Sequence, residues 1–136
     1  MTGVQTCALP ILPTIACSCE VCRSTDPRDK RLRPSVLLQY DGHNVMVDTT
    51  PDFRAQVLRV GLERLDAVLY THGHADHILG LDDVRPFNYF QKSTIPLYAT
   101  EETFAIIRRV FAYALDRKST RLNSSHIPLS RMPSSA

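Results

Sequence analysis

The chain has 136 residues, and no stretch of it approaches the about 20 apolar residues of a membrane-spanning helix. Met1 to Leu12 lacks both a basic n-region and a long apolar core, so it is not expected to act as a secretory signal peptide. No segment repeats, so solenoids and propellers are excluded. Net charge is small, with 16 Lys+Arg against 14 Asp+Glu. Cysteine and histidine are scarce, at four and five residues, so where they cluster carries weight.

Both ends read as something other than folded protein. Met1–Ile11 matches the translation of one strand of a common short-read sequencing adapter. Asp116–His126 matches the translation of the reverse complement, and Ser130–Ala136 resumes that match after an index-like Ile127-Pro128-Leu129. A polar, Ser/Arg-rich natural tail is the alternative; the paired match at opposite ends favours the adapter. Residues 1–11 are then expected to form no domain and residues 116–136 to be disordered. Residues 12–115 are the genuine segment, the N-terminal part of one domain.

Setting aside Asp116, Arg117, Lys118, Arg121 and Arg131 leaves 12 cationic against 13 anionic residues. The apparent basicity therefore belongs to the tail and gives no reason to expect nucleic acid. Cys7 and His126 drop out with the ends. Three remaining cysteines in one short stretch suggest a reducing, cytoplasmic setting.

Against that background stands Thr71-His72-Gly73-His74-Ala75-Asp76-His77, with three of the five histidines and a carboxylate. Imidazole nitrogen and carboxylate oxygen suit Zn²⁺, Mn²⁺ or Fe²⁺. Alternation points His72 and His74 to one side of an extended segment. Asp76 and His77 then turn to a second point nearby, which suits two adjacent ions better than one.

The surrounding pattern alternates strands and helices. Ser35–Tyr40 and Asn44–Asp48 are β-favouring runs joined through Asp41-Gly42-His43, a hairpin signal. Pro51–Val60 reads as a helix with Phe53, Val57 and Val60 at core spacing and Gly61 as its C-cap. Leu65–Tyr70 is a buried strand, and the histidine run follows it in a loop. Asp76–Asp83 opens a short helix, and Pro96–Ala99 is a strand. Thr100 caps a last helix whose core face is Phe104, Ile107, Val110, Phe111 and Ala114. The order predicts an α/β layered fold.

Cys17-Ser18-Cys19-Glu20-Val21-Cys22 can wrap one tetrahedral Zn²⁺, with one ligand still to be supplied. A redox pair at Cys19 and Cys22, or simple free thiols, are the rival readings. Cys7 falls in the adapter, and His43 sits in a hairpin turn where solvent exposure is expected.

Thr71-His72-Gly73-His74-Ala75-Asp76-His77 resembles the signature of the metallo-β-lactamase superfamily. Asp48, in Val47-Asp48-Thr49-Thr50-Pro51-Asp52, resembles that superfamily's aspartate ahead of the metal loop. The cysteine cluster, Asp26–Arg33 and Gly80–Asn88 resemble the phosphoribosyl 1,2-cyclic phosphate phosphodiesterase subfamily. The resemblance covers nearly all of residues 12–115. It implies an αββα sandwich, here its incomplete N-terminal half, with two divalent ions (Zn or Mn) at the active site.

By the same resemblance, His72 and His74 bind the first ion, and Asp76 and His77 the second. Cys17, Cys19 and Cys22 hold a structural zinc, and Asp48 orients a ligand histidine. The chemistry implied is hydrolysis of a small-molecule phosphodiester by a metal-activated hydroxide attacking phosphorus, with Asp76 as the catalytic residue steering the water. Arg85 is a candidate phosphate contact, although an Arg before Pro in a loop is as often structural. No nucleic-acid or membrane partner is expected, and a homodimer of the complete protein is left open. The remaining ligands are expected beyond Leu115, so the chain as it stands is expected to be inactive.

Three alternatives share the histidine run. A ribonuclease Z-like endonuclease lacks support from charge and from any visible tRNA-gripping arm. A pyrroloquinoline quinone biosynthesis protein B-like member with a non-hydrolytic role would not need four intact ligands. The last is an inert piece that only chelates metal.

Overall fold

The computed structural model describes residues 12–115. The expectations for residues 1–11 and 116–136 fall outside the described residues. The chain divides between Pro34 and Ser35 into two compact units.

The first unit is short and turn-rich. Cys17 N–H donates to the Thr14 carbonyl at 3.2 Å, closing a turn in which Ala16 takes a positive φ of 64°. Helix α1, Glu20–Arg23, follows with Cys19 at its N-cap. A 3₁₀ turn, Pro27–Asp29, is capped by Asp26, whose carboxylate accepts from Arg28 N–H at 2.9 Å and from its guanidinium at 2.6 Å. These local bonds hold a segment with no buried residue in either helical turn.

The second unit is built on a four-stranded sheet, β1 Val36–Tyr40, β2 His43–Val47, β3 Ala67–Leu69 and β4 Leu97–Tyr98, in that spatial order. β1 and β2 form the predicted antiparallel hairpin, with Tyr40 opposite His43. Asp41 (φ 49°) and Gly42 (φ 74°) both occupy the left-handed region, as a primed two-residue turn requires. His43 is exposed, as expected, but it opens β2 and does not sit in the turn. β3 and β4 add in parallel, so helices must cross over between the strands.

The crossovers are α2 Phe53–Val60 between β2 and β3, and α3 Ala75–Ile78 with α4 Arg85–Gln91 between β3 and β4; α5 Glu101–Val110 and α6 Ala112–Leu115 follow β4. Side chains alternate across strands. Met46, Val68 and Leu97 therefore share the sheet face that packs on Phe53, Ile78, Val84, Phe87, Phe104 and Ile107. This is the mixed α/β arrangement the pattern predicted.

Several boundaries differ from expectation, each for a local reason. α2 starts at Phe53 rather than Pro51, and Val60 is exposed instead of packed. The expected helix over Asp76–Asp83 splits into α3 and a 3₁₀ turn, Leu81–Val84, hinged at Gly80. α4 was not predicted. Pro86 disfavours helix for the residue before it, yet it is well tolerated in a first turn, which is where it stands. The last helix breaks at Phe111, so Val110 turns to solvent while Phe104, Ile107, Phe111 and Ala114 remain core.

Candidate metal centre

The histidine run is positioned by two neighbouring strand ends. β2 finishes at Val47, and Asp48 N–H continues the pairing by donating to the Leu69 carbonyl at 2.9 Å. Asp48 then turns with φ 61°, a left-handed conformation uncommon outside glycine though tolerated by Asp. After β3, Tyr70 N–H donates to the Tyr98 carbonyl at 2.7 Å, delivering Thr71 beside Asp48.

Three donors meet on the Asp48 carboxylate. Thr71 N–H reaches Oδ1 at 2.9 Å, and the Thr71 hydroxyl reaches Oδ2 at 2.7 Å. His77 Nδ1 lies 2.8 Å from Oδ2. Asp48 is only 5 % exposed. Burial pushes its pKa up, but the Thr71 N–H, the His77 ring and the Thr71 hydroxyl outweigh burial and hold it below the ordinary carboxylate value.

The hydroxyl of Thr71 has one proton, and Asp48 takes it. His72 Nδ1, 2.9 Å from that oxygen, must then be the donor. This leaves Nε2 of His72 as an acceptor, 3.1 Å from Nδ1 of His74. Likewise, in the neutral ring, Nδ1 of His77 donating to Asp48 leaves Nε2 with its lone pair, 3.5 Å from Asp76 Oδ2. Two ligand atoms about 2.0–2.1 Å from one tetrahedral ion stand about 3.3 Å apart. Both separations fit that value, so the donor set suits metal ligation as two pairs. The His72 and His77 ring centroids, 3.9 Å apart, keep the pairs adjacent.

Backbone contacts fix α3 against the Asp48 turn. Thr49 N–H donates to the His77 carbonyl at 2.8 Å, and Gly80 N–H donates to the Thr49 carbonyl at 2.9 Å. A Cβ on Gly80 would stand 2.2 Å from the Thr50 carbonyl oxygen, so no side chain is possible there without movement. Beneath, the fully buried Thr49 hydroxyl bonds the Tyr70 phenol at 2.8 Å. Burial drives the Tyr70 pKa well above its ordinary value, so the phenol stays protonated. Thr71, Thr49, Tyr70 and Gly80 are positioning residues to which the sequence reading gave no role. Only Thr71 had a visible signal, as the residue abutting the run.

Cys17, Cys19 and Cys22 do come together, with their sulfurs all within 4.8 Å of one another. Among the described residues they form the only group of three or more potential ligands that converge on one point. Thr14 N–H points at Cys22 Sγ from 3.4 Å. Three sulfurs with this convergence fit a tetrahedral zinc that takes a fourth ligand from elsewhere.

Among the described residues, no ion pair or hydrogen bond joins Arg85 to the histidine run. Its guanidinium lies 4.0 Å from the Asp82 carboxylate, which also accepts a hydrogen bond from the Tyr113 hydroxyl.

The chain matches the profile of the beta-lactamase superfamily domain over residues 43–131. A crystal structure described as a new diphosphatase from the PhnP family is 58 % identical. That likeness has a TM-score of 0.71 and covers 75 % of this chain and 41 % of that one. The zinc-bound PqqB of Methylobacterium extorquens is 28 % identical, with a TM-score of 0.54 over 72 % of this chain and 36 % of that one. A curated relative from Porphyromonas gingivalis named octanoyltransferase is 44 % identical over 98 residues, 71 % of this chain but 20 % of its own length. The chain thus spans less than half the length of each.

Proposed function

The chain belongs to the metallo-β-lactamase superfamily, and on that basis we propose that it carries one side of a dinuclear centre that hydrolyses a phosphate ester or anhydride. The observation that carries this is the pairing of His72 Nε2 with His74 Nδ1 and of Asp76 Oδ2 with His77 Nε2, at 3.1 and 3.5 Å. Two divalent ions, Zn or Mn, held there would supply Lewis acidity for making water nucleophilic at neutral pH. This chain's residues do the rest. His72 and His77 present Nε2 lone pairs and Asp76 its carboxylate, while His74 offers Nδ1 once its proton moves to Nε2. Asp48 and Thr71 fix the His77 and His72 rings, and the exposed Asp76 also faces the solvent from which the attacking water comes. Cys17, Cys19 and Cys22 hold a separate structural zinc. Arg85, tied to Asp82, contacts phosphate only if that pairing opens.

The substrate class proposed is a small cyclic phosphodiester such as phosphoribosyl 1,2-cyclic phosphate. A diphosphate is the second reading, favoured by the 58 % identity to a protein described as a diphosphatase. The four intact ligands weigh against a purely binding role.

The test is an assay of the complete protein with Mn²⁺ or Zn²⁺ on a cyclic ribose phosphate and on a nucleoside diphosphate. Turnover of the first supports the phosphodiesterase, and turnover of the second alone moves the assignment to phosphoanhydrides. Hydrolysis of neither, in a preparation with both ions bound, overturns the proposal.

A further inference from the structure

Away from the histidines, α2 and α4 enclose an apolar groove of about 440 Å³. Phe53, Val57, Leu62 and Phe87 form its floor, while Leu58 and Phe90 stand at its rim, 65 % and 77 % exposed. Leaving two large apolar side chains this open beside a groove costs solvation and marks an interaction surface. The charges around it indicate what the partner is.

Three charged residues line the groove: Arg54 in the first turn of α2, Glu63 just past its C-cap Gly61, and Asp83 in the 3₁₀ turn Leu81–Val84; the first two belong to α2 and its end. Neither Arg54 nor Glu63 makes an ion pair within the described residues. Each also opposes the helix dipole, which favours acids at the N-terminus and bases at the C-terminus. The arrangement therefore does nothing for α2 alone. It is self-complementary, however: a second α2 laid antiparallel places its Glu63 beside Arg54 and its Arg54 beside Glu63. Leu58, four residues after one and five before the other, then sits at the axis.

We propose that this groove seats a second copy of the chain in a two-fold contact centred on Leu58. Such a contact is isologous, the same surface serving both subunits. The Phe90 ring of each copy, projecting from the rim, fills the groove of the other. An acyl chain or detergent would use the apolar floor but has no use for opposed charges. The opposite sheet face around Val36 and Leu38, 51 % and 52 % exposed, serves as the control surface.

Sedimentation equilibrium of the full chain, across concentration at low salt, tests this. The expected result is a monomer–dimer equilibrium that Arg54→Glu and Glu63→Arg each weaken by about tenfold or more, and that the double reversal restores. Leu58→Glu abolishes the dimer, and Leu38→Glu leaves it intact. All four positions are exposed, and circular dichroism melts verify that each of the five variants folds. A monomer at every concentration overturns the proposal and leaves the groove to another occupant. So does a dimer indifferent to both reversals, a double reversal that fails to rescue, or a dimer lost in Leu38→Glu and kept in Leu58→Glu.

Discussion

Asp48 accepts a 2.8 Å hydrogen bond from His77 Nδ1 while holding a left-handed backbone conformation at φ 61°. The turn that aims the carboxylate and the ring that receives it are 29 residues apart in sequence. Strain at such a residue persists only where surrounding contacts over-determine it, and here Leu69, Thr71 and His77 do so.

Asp48→Ala should weaken metal binding at the Asp76–His77 pair by about 10–100-fold, the usual effect of removing a ligand's orienting partner. Competition titration against a chromophoric chelator measures this. Unchanged affinity would remove Asp48 from the site's design.

Cys17→Ser should lower bound zinc by one equivalent without changing metal uptake at the histidines. Elemental analysis of the purified variant, alongside His72→Ala, separates the two sites. Loss of a single common pool in both variants would contradict two separate sites.

Gly80→Ala should destabilise the fold by about 1–3 kcal/mol or more, as overpacking against fixed atoms does. The new Cβ would meet the Thr50 carbonyl at 2.2 Å and Phe53 Cβ at 2.7 Å. Gly73→Ala should cost less, because its nearest neighbour at 2.5 Å is the Ile106 Cδ1 methyl, the end of a flexible side chain. Urea denaturation of the two variants gives the comparison, and equal losses would refute it.

Tyr70→Phe leaves the buried Thr49 hydroxyl without its 2.8 Å partner. A loss of about 1–3 kcal/mol is expected. Adding Thr49→Val should recover part of it, since both partners are then apolar. A double-mutant cycle with no coupling would show that the bond contributes nothing specific.

Acid sensitivity has a defined source at Asp66. The Arg64 guanidinium, at 2.6 Å, and then the Asn44 backbone N–H, at 2.8 Å, hold its pKa below the ordinary 3.8. A depressed folded-state pKa stabilises above the unfolded value, and that stabilisation is lost as pH falls through the folded value. Asp66→Asn should therefore be less stable than the parent near neutrality, and the gap should close as pH drops below about 4. A constant gap across that range would show that the carboxylate's charge is not what matters.

Much of this was readable from sequence because it is local. Asp41-Gly42 announces a primed turn, Gly61 a left-handed helix end, and Thr100 a cap that does accept from Thr103 N–H at 3.3 Å. The histidine run gave its own alternation. What escaped depends on parallel pairing between strands distant in sequence. The β2–β3 register, with Val47 beside Leu69, and the left-handed turn at Asp48 together bring Thr49 to Tyr70 and Asp48 to Thr71. α4 escaped for a different reason: Arg85-Pro86 is an extended signal by local rule, and only the packing of Phe87 into the core decides for helix.

The single hydroxyl proton of Thr71 has one further consequence. Because it is committed to Asp48, the direction of every bond from Asp48 through Thr71 to His72 is set, and His77 is set by the same carboxylate. Two of the three rings are thus locked in one tautomer before any ion arrives, and folding has already met that entropic cost. His74 is the exception: its Nδ1 proton rests on His72, and it alone must rearrange. Nitrogen-15 shifts of the three rings on metal addition should therefore show one tautomer exchanging and two standing still.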